Sequence, residues 1–126
     1  GWHSVFETSR VMVCDDLIFT SRVTATARAH GLTVLTARSA ERAVQIAAES
    51  LPACVIVDLH NPGLDVAAFL DDLRGVCRPA MPRVIGYGSH VDAEGLRAAR
   101  RAGCDRVLPR SQFVAELEAK LAEWLA

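Results

Sequence analysis

Three aspartates stand where two apolar runs of the sequence end. Asp15 and Asp16 follow the run from Val11 to Cys14, and Asp58 follows the run from Cys54 to Val57. If the two runs form neighbouring parallel strands, the three carboxylates meet at one end of a sheet. Carboxylates at such a short separation repel one another, so some of them must take up protons or a cation must bind to them. We interpret the pattern as a magnesium site in which one aspartate acts as a nucleophile or phosphate acceptor.

The pair formed by Asp15 and Asp16 also has a simpler interpretation. An aspartate in front of a helix accepts hydrogen bonds from backbone N–H groups of the first turn. For an isolated pair of aspartates we would favour this capping role. Because Asp58 ends a second apolar run in the matching way, the metal site becomes the preferred interpretation.

Length and charge exclude several classes of function. A chain of 126 residues is long enough for one domain with its own core. A net charge of -1 gives no reason to expect a nucleic acid or an anionic membrane as partner. No apolar run approaches the roughly 18 residues of a membrane span, and no signal peptide is visible.

Four cysteines are scattered without metal-like spacing, which indicates reduced thiols and a cytoplasmic location. The segment 1–9 contains no methionine, and we interpret it as an N-terminal extension or a cloning remnant. The domain itself is predicted to cover 10–126. Because nothing resembling a DNA-binding or catalytic segment follows the last helix, we expect either a stand-alone protein or an excised domain.

Apolar runs and amphipathic stretches alternate along the whole domain. Strands are predicted at 11–14, 32–36, 54–57 and 106–108, with another that begins at 84. Helices are predicted over 17–30 and 40–50, and three more after the capping residues Asp65, Asp92 and Ser111. This alternation predicts an α/β fold, a flavodoxin-like (βα)5 doubly wound parallel sheet with strand order 2-1-3-4-5. In that order the first and third strands are neighbours, which brings the three aspartates together.

Three local patterns add to this prediction. Asn61-Pro62-Gly63-Leu64 predicts a type II turn, because proline suits its first central position and glycine its second. The segment 86–89 (GYGS) lacks the residues of a nucleotide-binding loop, so we predict a flexible turn after the fourth strand. Leu17 and Ile18 are expected to pack inward. The alternative is that they form part of a surface that another protein contacts.

The sequence resembles the receiver domain of bacterial two-component response regulators, from about residue 10 to the end. The matching segments are RVMVCDD (10–16), DLHNPGLD (58–65) and AGCD (102–105). The resemblance implies that Asp58 accepts a phosphoryl group from a histidine kinase or a phosphotransfer protein. It also implies that Mg²⁺ is held by Asp15, Asp16, Asp58 and the backbone carbonyl of His60.

The sequence departs from the family pattern at three positions. Arg110 stands where the family has a lysine at the end of the fifth strand, and Val107 replaces a switch aromatic. Gly88 stands where the family has threonine or serine, with Ser89 one residue later. Arg110 and Ser89 are therefore the candidate phosphate contacts of an atypical receiver.

The leading hypothesis is a phosphorelay signalling domain rather than an enzyme. Its output would be a changed surface on the last two βα units, read by a downstream partner protein or by a second copy in a self-dimer. The alternative is a pseudo-receiver that works as a protein–protein interaction module without phosphorylation. A third possibility is a small flavodoxin-like enzyme or nucleotide binder, which no phosphate-cradling loop supports.

Overall fold

A five-stranded parallel sheet forms the centre of the domain. The computed structural model describes residues 9–125, without the side chains at 121, 122, 124 and 125, so most of the predicted N-terminal extension lies outside it. The strands are β1 (Arg10–Val13), β2 (Leu35–Ala37), β3 (Cys54–Asp58), β4 (Arg83–Gly88) and β5 (Arg106–Pro109). The helices are α1 (Leu17–Ala29), α2 (Ala40–Ser50), α3 (Val66–Val76), α4 (Ala93–Ala102) and α5 (Arg110–Leu125).

The strand order is β2-β1-β3-β4-β5, and every pairing is parallel. This confirms the predicted flavodoxin-like sheet and places β2 at an edge. Because each parallel crossover carries a helix, both faces of the sheet are covered and its strands are apolar on both sides. Within residues 9–125, no helix is both long enough and apolar enough to cross a bilayer.

Two apolar layers flank the sheet, and alternate strand residues belong to each. On one face, buried residues such as Val13, Val55 and Val57 pack with Phe69 and Leu73 of α3. On the other face, the layer is formed by Met12, Cys14, Ile56, Ile85, Tyr87, Phe19, Phe113 and Leu117. Since side chains alternate along a strand, Asp58 lies on the same face as Ile56, towards α1 and α5.

The predicted caps and the predicted turn are largely confirmed. Ser39 accepts a hydrogen bond from the N–H of Arg42, and Asp65 and Asp92 cap α3 and α4 in the same way. The N–H of Leu64 donates to the carbonyl of Asn61 over 3.1 Å, and Gly63 has φ 75°. Positive φ at that position is what a type II turn requires.

The end of β4 corrects one prediction. Gly86 and Gly88 belong to the strand and are buried, so no turn begins at Gly86. The side chains of the loop after β3 explain the glycines, because a Cβ at Gly88 would lie 3.2 Å from the Nε2 of His60. Glycine here admits a neighbouring side chain against the strand, rather than supplying flexibility.

Three further predictions were wrong in detail. The helix α5 begins at Arg110, so Ser111 lies inside the helix and is not its cap. The strand β2 covers Leu35–Ala37, a shorter and later segment than the alternating pattern indicated. Leu17 and Ile18 do not pack inward: they are 57% and 86% exposed, because α1 turns Phe19 and Thr20 towards the sheet instead.

Candidate functional site

The ends of the two apolar runs lie side by side at the carboxyl end of the sheet, as predicted. The register of β1 and β3 pairs Val13 with Val57, so the residues that follow these two are neighbours. The Sγ of Cys14 lies 3.8 Å from the Oδ2 of Asp58. Asp15 and Asp16 are the next residues of the same loop, which joins β1 to α1.

Asp58 is half-buried at the last position of β3. Its Oδ1 accepts a hydrogen bond of 2.9 Å from the backbone N–H of His60, which fixes the orientation of the carboxylate. The imidazole of His60 extends away from this contact, over Gly88, and its Nε2 lies 3.6 Å from the Oδ2 of Asp92. The backbone of His60 therefore faces Asp58 while its ring faces the start of α4.

Asp16 is the N-cap of α1. Its Oδ1 accepts hydrogen bonds from the N–H groups of Ile18 and Phe19, over 3.0 and 3.1 Å. Its Oδ2 lies 3.3 Å from Nη2 of Arg110. The N–H of Phe19 holds the pKa of Asp16 below its usual value, and Arg110 and the N–H of Ile18 contribute in the same direction. Asp16 therefore has the capping role of the simpler interpretation, and its second carboxylate oxygen faces Arg110.

Asp15 is held by two polar contacts from other loops. Nε of Arg38, just after β2, donates to its Oδ1 over 2.9 Å. The side chain of Asn61, which is 5% exposed, accepts from the backbone N–H of Asp15 over 2.7 Å. The Nδ2 of Asn61 donates to the carbonyl of Arg38 over 2.9 Å. Asp15, Arg38 and Asn61 thus form a closed triangle of hydrogen bonds that joins the loops after β1, β2 and β3.

Arg110 reaches the acid pair from the start of α5. Its guanidinium lies 4.3 Å from the centroid of the Phe19 ring, within the range of a cation–π contact. Phe19 belongs to an aromatic cluster with Tyr87 and Phe113, in which the Tyr87 and Phe113 rings stack at 4.8 Å. Arg110 therefore packs against a side chain that belongs to the aromatic core.

A groove of about 670 Å³ opens beside Asp58. Its walls include both candidate phosphate contacts, Arg110 and Ser89, together with His60 and Ser111. Oγ of Ser89 already accepts a hydrogen bond of 3.3 Å from the N–H of Val91, which leaves its own proton available to a ligand. The groove thus places hydrogen-bond donors next to a carboxylate.

The oxygen atoms at this carboxyl end of the sheet are suitable ligands for a hard cation. They are carboxylate and carbonyl oxygens, which Mg²⁺ prefers. As the side chains stand, no group of three or more His, Cys, Asp or Glu residues in the described part of the chain is arranged to hold a metal. The acid pair is turned towards Arg38 and Arg110 instead. The assignment of Asp15, Asp16, Asp58 and the carbonyl of His60 as ligands stays a prediction.

No protein-family model matches the sequence, and no curated protein matches it. Solved structures match over almost the whole chain. A signal receiver domain of a response regulator from Bermanella marisrubri is 20% identical, with a TM-score of 0.80, and the match covers 95% of this chain and 100% of that one. The chain has the fold of a receiver domain.

Two other structures share this receiver fold. One is from a co-crystal of the Saccharomyces cerevisiae histidine phosphotransfer protein Ypd1 and the receiver domain of Ssk1 (21% identity, 94% of this chain, 89% of that chain, TM-score 0.77). The other is a Burkholderia pseudomallei response regulator with a phosphorylated aspartic acid, a calcium ion and citrate (17% identity, 93% of this chain, 70% of that chain, TM-score 0.69). At these identities the likeness establishes the receiver fold and not a shared activity.

Sequence reasoning missed three residues around the site of this receiver fold. Arg38 was not singled out, and Asn61 was considered only as the first residue of a turn, because neither is close in sequence to Asp15, their partner. The sequence pattern left Tyr87 in the turn predicted at 86–89, yet it is 1% exposed and its hydroxyl donates to Sγ of Cys14 over 3.3 Å. The one available signal was Asn61 itself, a polar residue at the first position of a predicted tight turn.

Proposed function

We propose that this domain is a signalling receiver that accepts a phosphoryl group on Asp58. The observation that carries the proposal is the position of Asp58 at the carboxyl end of β3. There it lies beside the acid-bearing loop after β1 and borders a groove lined by Arg110 and Ser89. Ligands of doubly wound sheets bind at such a switch point in strand order. A phosphoryl group on Asp58 would have donors within its own groove.

The donor of the phosphoryl group is proposed to be a phosphohistidine on a partner protein. An oxygen of Asp58 attacks phosphorus, and the P–O bond forms as the P–N bond breaks. The electron pair of the broken bond returns to the imidazole, which takes up a proton from solvent. The N–H of His60 holds the attacking carboxylate in place during this transfer. Arg110 and the hydroxyl of Ser89, which both line the groove, would donate to the phosphoryl oxygens.

The transfer is proposed to use Mg²⁺ bound by Asp15, Asp16, Asp58 and the carbonyl of His60. Such an ion supplies positive charge to the oxygens of the transferred group. The support is the oxygen-only donor set and the calcium ion in the Burkholderia pseudomallei structure. Asp15 and Asp16 are each paired with an arginine, but Asp58 is not paired with either of them, so without a divalent cation its charge would still repel an incoming phosphoryl group.

The partner is proposed to be a histidine kinase or a histidine phosphotransfer protein. The receiver domain of Ssk1 was crystallised with a protein of the second kind. Leu17 and Ile18 form an exposed apolar surface directly after the acid pair, where a partner must come close to reach Asp58. We further propose a signalling role and not an enzymatic one, with output read from the last two βα units by a partner protein or a second copy.

The test is incubation with Mg²⁺ and a small-molecule phosphodonor, followed by intact mass spectrometry. We expect the wild-type domain to gain one phosphoryl group and Asp58→Asn to gain none. The matched control is Asp72→Asn, an exposed aspartate on α3, which should be modified like the wild type. Modification of the Asp58→Asn variant would contradict the assigned acceptor. A wild type that gains nothing would leave phosphorylation-independent protein binding as the function.

A further inference from the structure

We propose that Arg38 and Arg110 are built-in counter-cations of the acid pair, so that a divalent metal must displace them to bind. This inference rests on the proposed function, because it concerns the same metal site. It adds a regulatory property: the metal affinity of the domain, and with it readiness for phosphorylation, is set by competition with two guanidinium groups of the chain itself.

The first step is the one-to-one pairing of charges. Asp15 and Asp16 are consecutive carboxylates beside a third, Asp58, and their mutual repulsion needs compensation. Nε of Arg38 lies 2.9 Å from Oδ1 of Asp15, and Nη2 of Arg110 lies 3.3 Å from Oδ2 of Asp16. Each acid of the pair therefore has its own arginine, brought in from a different element of the fold.

The second step is that the backbone of Arg38 is held next to that of Asp15. Asn61 is 5% exposed and bonds to the backbone of both partners, accepting from the N–H of Asp15 and donating to the carbonyl of Arg38. A buried amide satisfied at both ends is costly to disrupt. The segment that carries Arg38 is consequently locked to the segment that carries Asp15.

The third step is the support of Arg110. Its guanidinium lies 4.3 Å from the centroid of Phe19, a core residue that is 5% exposed. A planar guanidinium stacks on such a ring, whereas the compact ammonium of lysine does so less well. Guanidinium groups also keep their charge at every pH that proteins tolerate. The positive charge beside Asp16 is therefore permanent, and the contact with Phe19 favours its position there.

Competition follows from the geometry of metal binding. Magnesium takes oxygen ligands at about 2.0–2.1 Å in a near-octahedral shell. A carboxylate oxygen that points at an arginine must turn away from it to enter that shell, and the arginine then faces a divalent cation. The two arginine side chains are 66% and 48% exposed, so water screens the ion pairs and each arginine should have a moderate effect.

The experiment is a calorimetric titration of the domain with Mg²⁺, and separately with Mn²⁺, in the absence of a phosphodonor. We expect Arg38→Gln and Arg110→Gln each to bind metal about 2- to 5-fold more tightly than the wild type. The double variant should exceed either single variant. Arg110→Lys should fall between the wild type and Arg110→Gln, because it keeps the charge but loses the planar contact with Phe19.

The matched control is Arg28→Gln, which removes one positive charge at the far end of α1. Twelve residues of helix place it about 18 Å from the Asp16 end, beyond a Debye length of about 8–10 Å. We expect its metal affinity to stay within about 2-fold of the wild type. Equal tightening in Arg28→Gln would show a net-charge effect and would overturn the inference.

The inference is also overturned if Arg38→Gln and Arg110→Gln bind metal no more tightly than the wild type, or if no variant binds metal. These outcomes are separate from the test of the proposed function, since the titration needs no phosphoryl transfer. If the domain gains a phosphoryl group on Asp58 but neither arginine substitution changes its metal affinity, the proposed function stands and the competition by Arg38 and Arg110 is disproved.

Discussion

Asp58 and Tyr87 are register partners in the neighbouring strands β3 and β4. Their side chains share one face of the sheet, but the ring of Tyr87 packs into the core against Phe113 and its hydroxyl bonds to Cys14. The strand residue beside the proposed phosphoacceptor is therefore Tyr87, a buried phenol. From the resemblance to receiver domains, the sequence analysis had assigned Gly88 to the family's threonine or serine position. Ser89, beyond the strand end, supplies the hydroxyl that lines the groove.

Tyr87→Phe tests whether this tyrosine is structural. The variant loses one hydrogen bond to a weak sulfur acceptor, and we expect a loss of about 0.5–1.5 kcal/mol in the free energy of unfolding. Phosphoryl uptake on Asp58 should be unchanged. Tyr87→Ala removes the ring as well and should cost about 3–5 kcal/mol, as core truncations of aromatic residues do. Urea denaturation measures both. Loss of phosphoryl uptake in stable Tyr87→Phe would instead place the phenol in the reaction.

Asn61→Leu tests the hydrogen-bond triangle of Asp15, Arg38 and Asn61. The substitution leaves the N–H of Asp15 and the carbonyl of Arg38 without their partner. We expect a loss of about 1–3 kcal/mol in the free energy of unfolding, measured by urea denaturation. Gln45→Leu is the control, since it makes a similar change at an exposed position of α2 and should stay within about 0.5 kcal/mol. Equal stability of the two variants would contradict the clamping role of Asn61.

Two buried thiols predict how stability depends on alkaline pH. Burial raises the pKa of Cys54 to about 12 and that of Cys104 to about 11, from a usual value of 9.0. The folded domain therefore keeps both thiols neutral where the unfolded chain ionises them. This contribution is fully present below about pH 9 and is lost as the pH rises towards 11 and 12.

Cys54→Val makes the thiol prediction measurable. Between pH 7.5 and pH 10, the wild type should lose about 1.4 kcal/mol more of its free energy of unfolding than the variant, from this one thiol. Urea denaturation at the two pH values gives both numbers. A thiol reagent should also label Cys54 slowly at pH 8 unless denaturant is present, because the side chain is 1% exposed. Equal losses in both proteins would show that Cys54 ionises in the folded state.

The fold could be read from the sequence because its signals are local. Continuous apolar runs at β1 and β3 indicated strands buried on both faces, and Ser39, Asp65 and Asp92 marked the starts of helices correctly. The errors at Gly86 and Ser111 arose where tertiary contacts decide. Side chains of the loop after β3 lie against Gly86 and Gly88, which makes glycine suitable inside a strand.

The site could be predicted only in part, for a related reason. Strand order alone places the loop that carries Asp15 and Asp16 next to the end of β3, where Asp58 lies, so this juxtaposition follows from the element pattern. The contacts of Arg38 with Asp15, of Asn61 with Asp15 and of Tyr87 with Cys14 span 23, 46 and 73 residues. No local pattern encodes such pairs, because each depends on which loop lies beside which in the folded domain.

The most direct measurement locates the phosphoryl group itself. The domain is incubated with Mg²⁺ and a small phosphodonor, then reduced with borohydride, which converts an aspartyl phosphate to homoserine. Tandem mass spectrometry of the peptides then reads the modified position. We predict homoserine at position 58 and at neither 15 nor 16, and none when Mg²⁺ is removed by a chelator. Homoserine elsewhere, or none under conditions that label another receiver domain, would contradict the account.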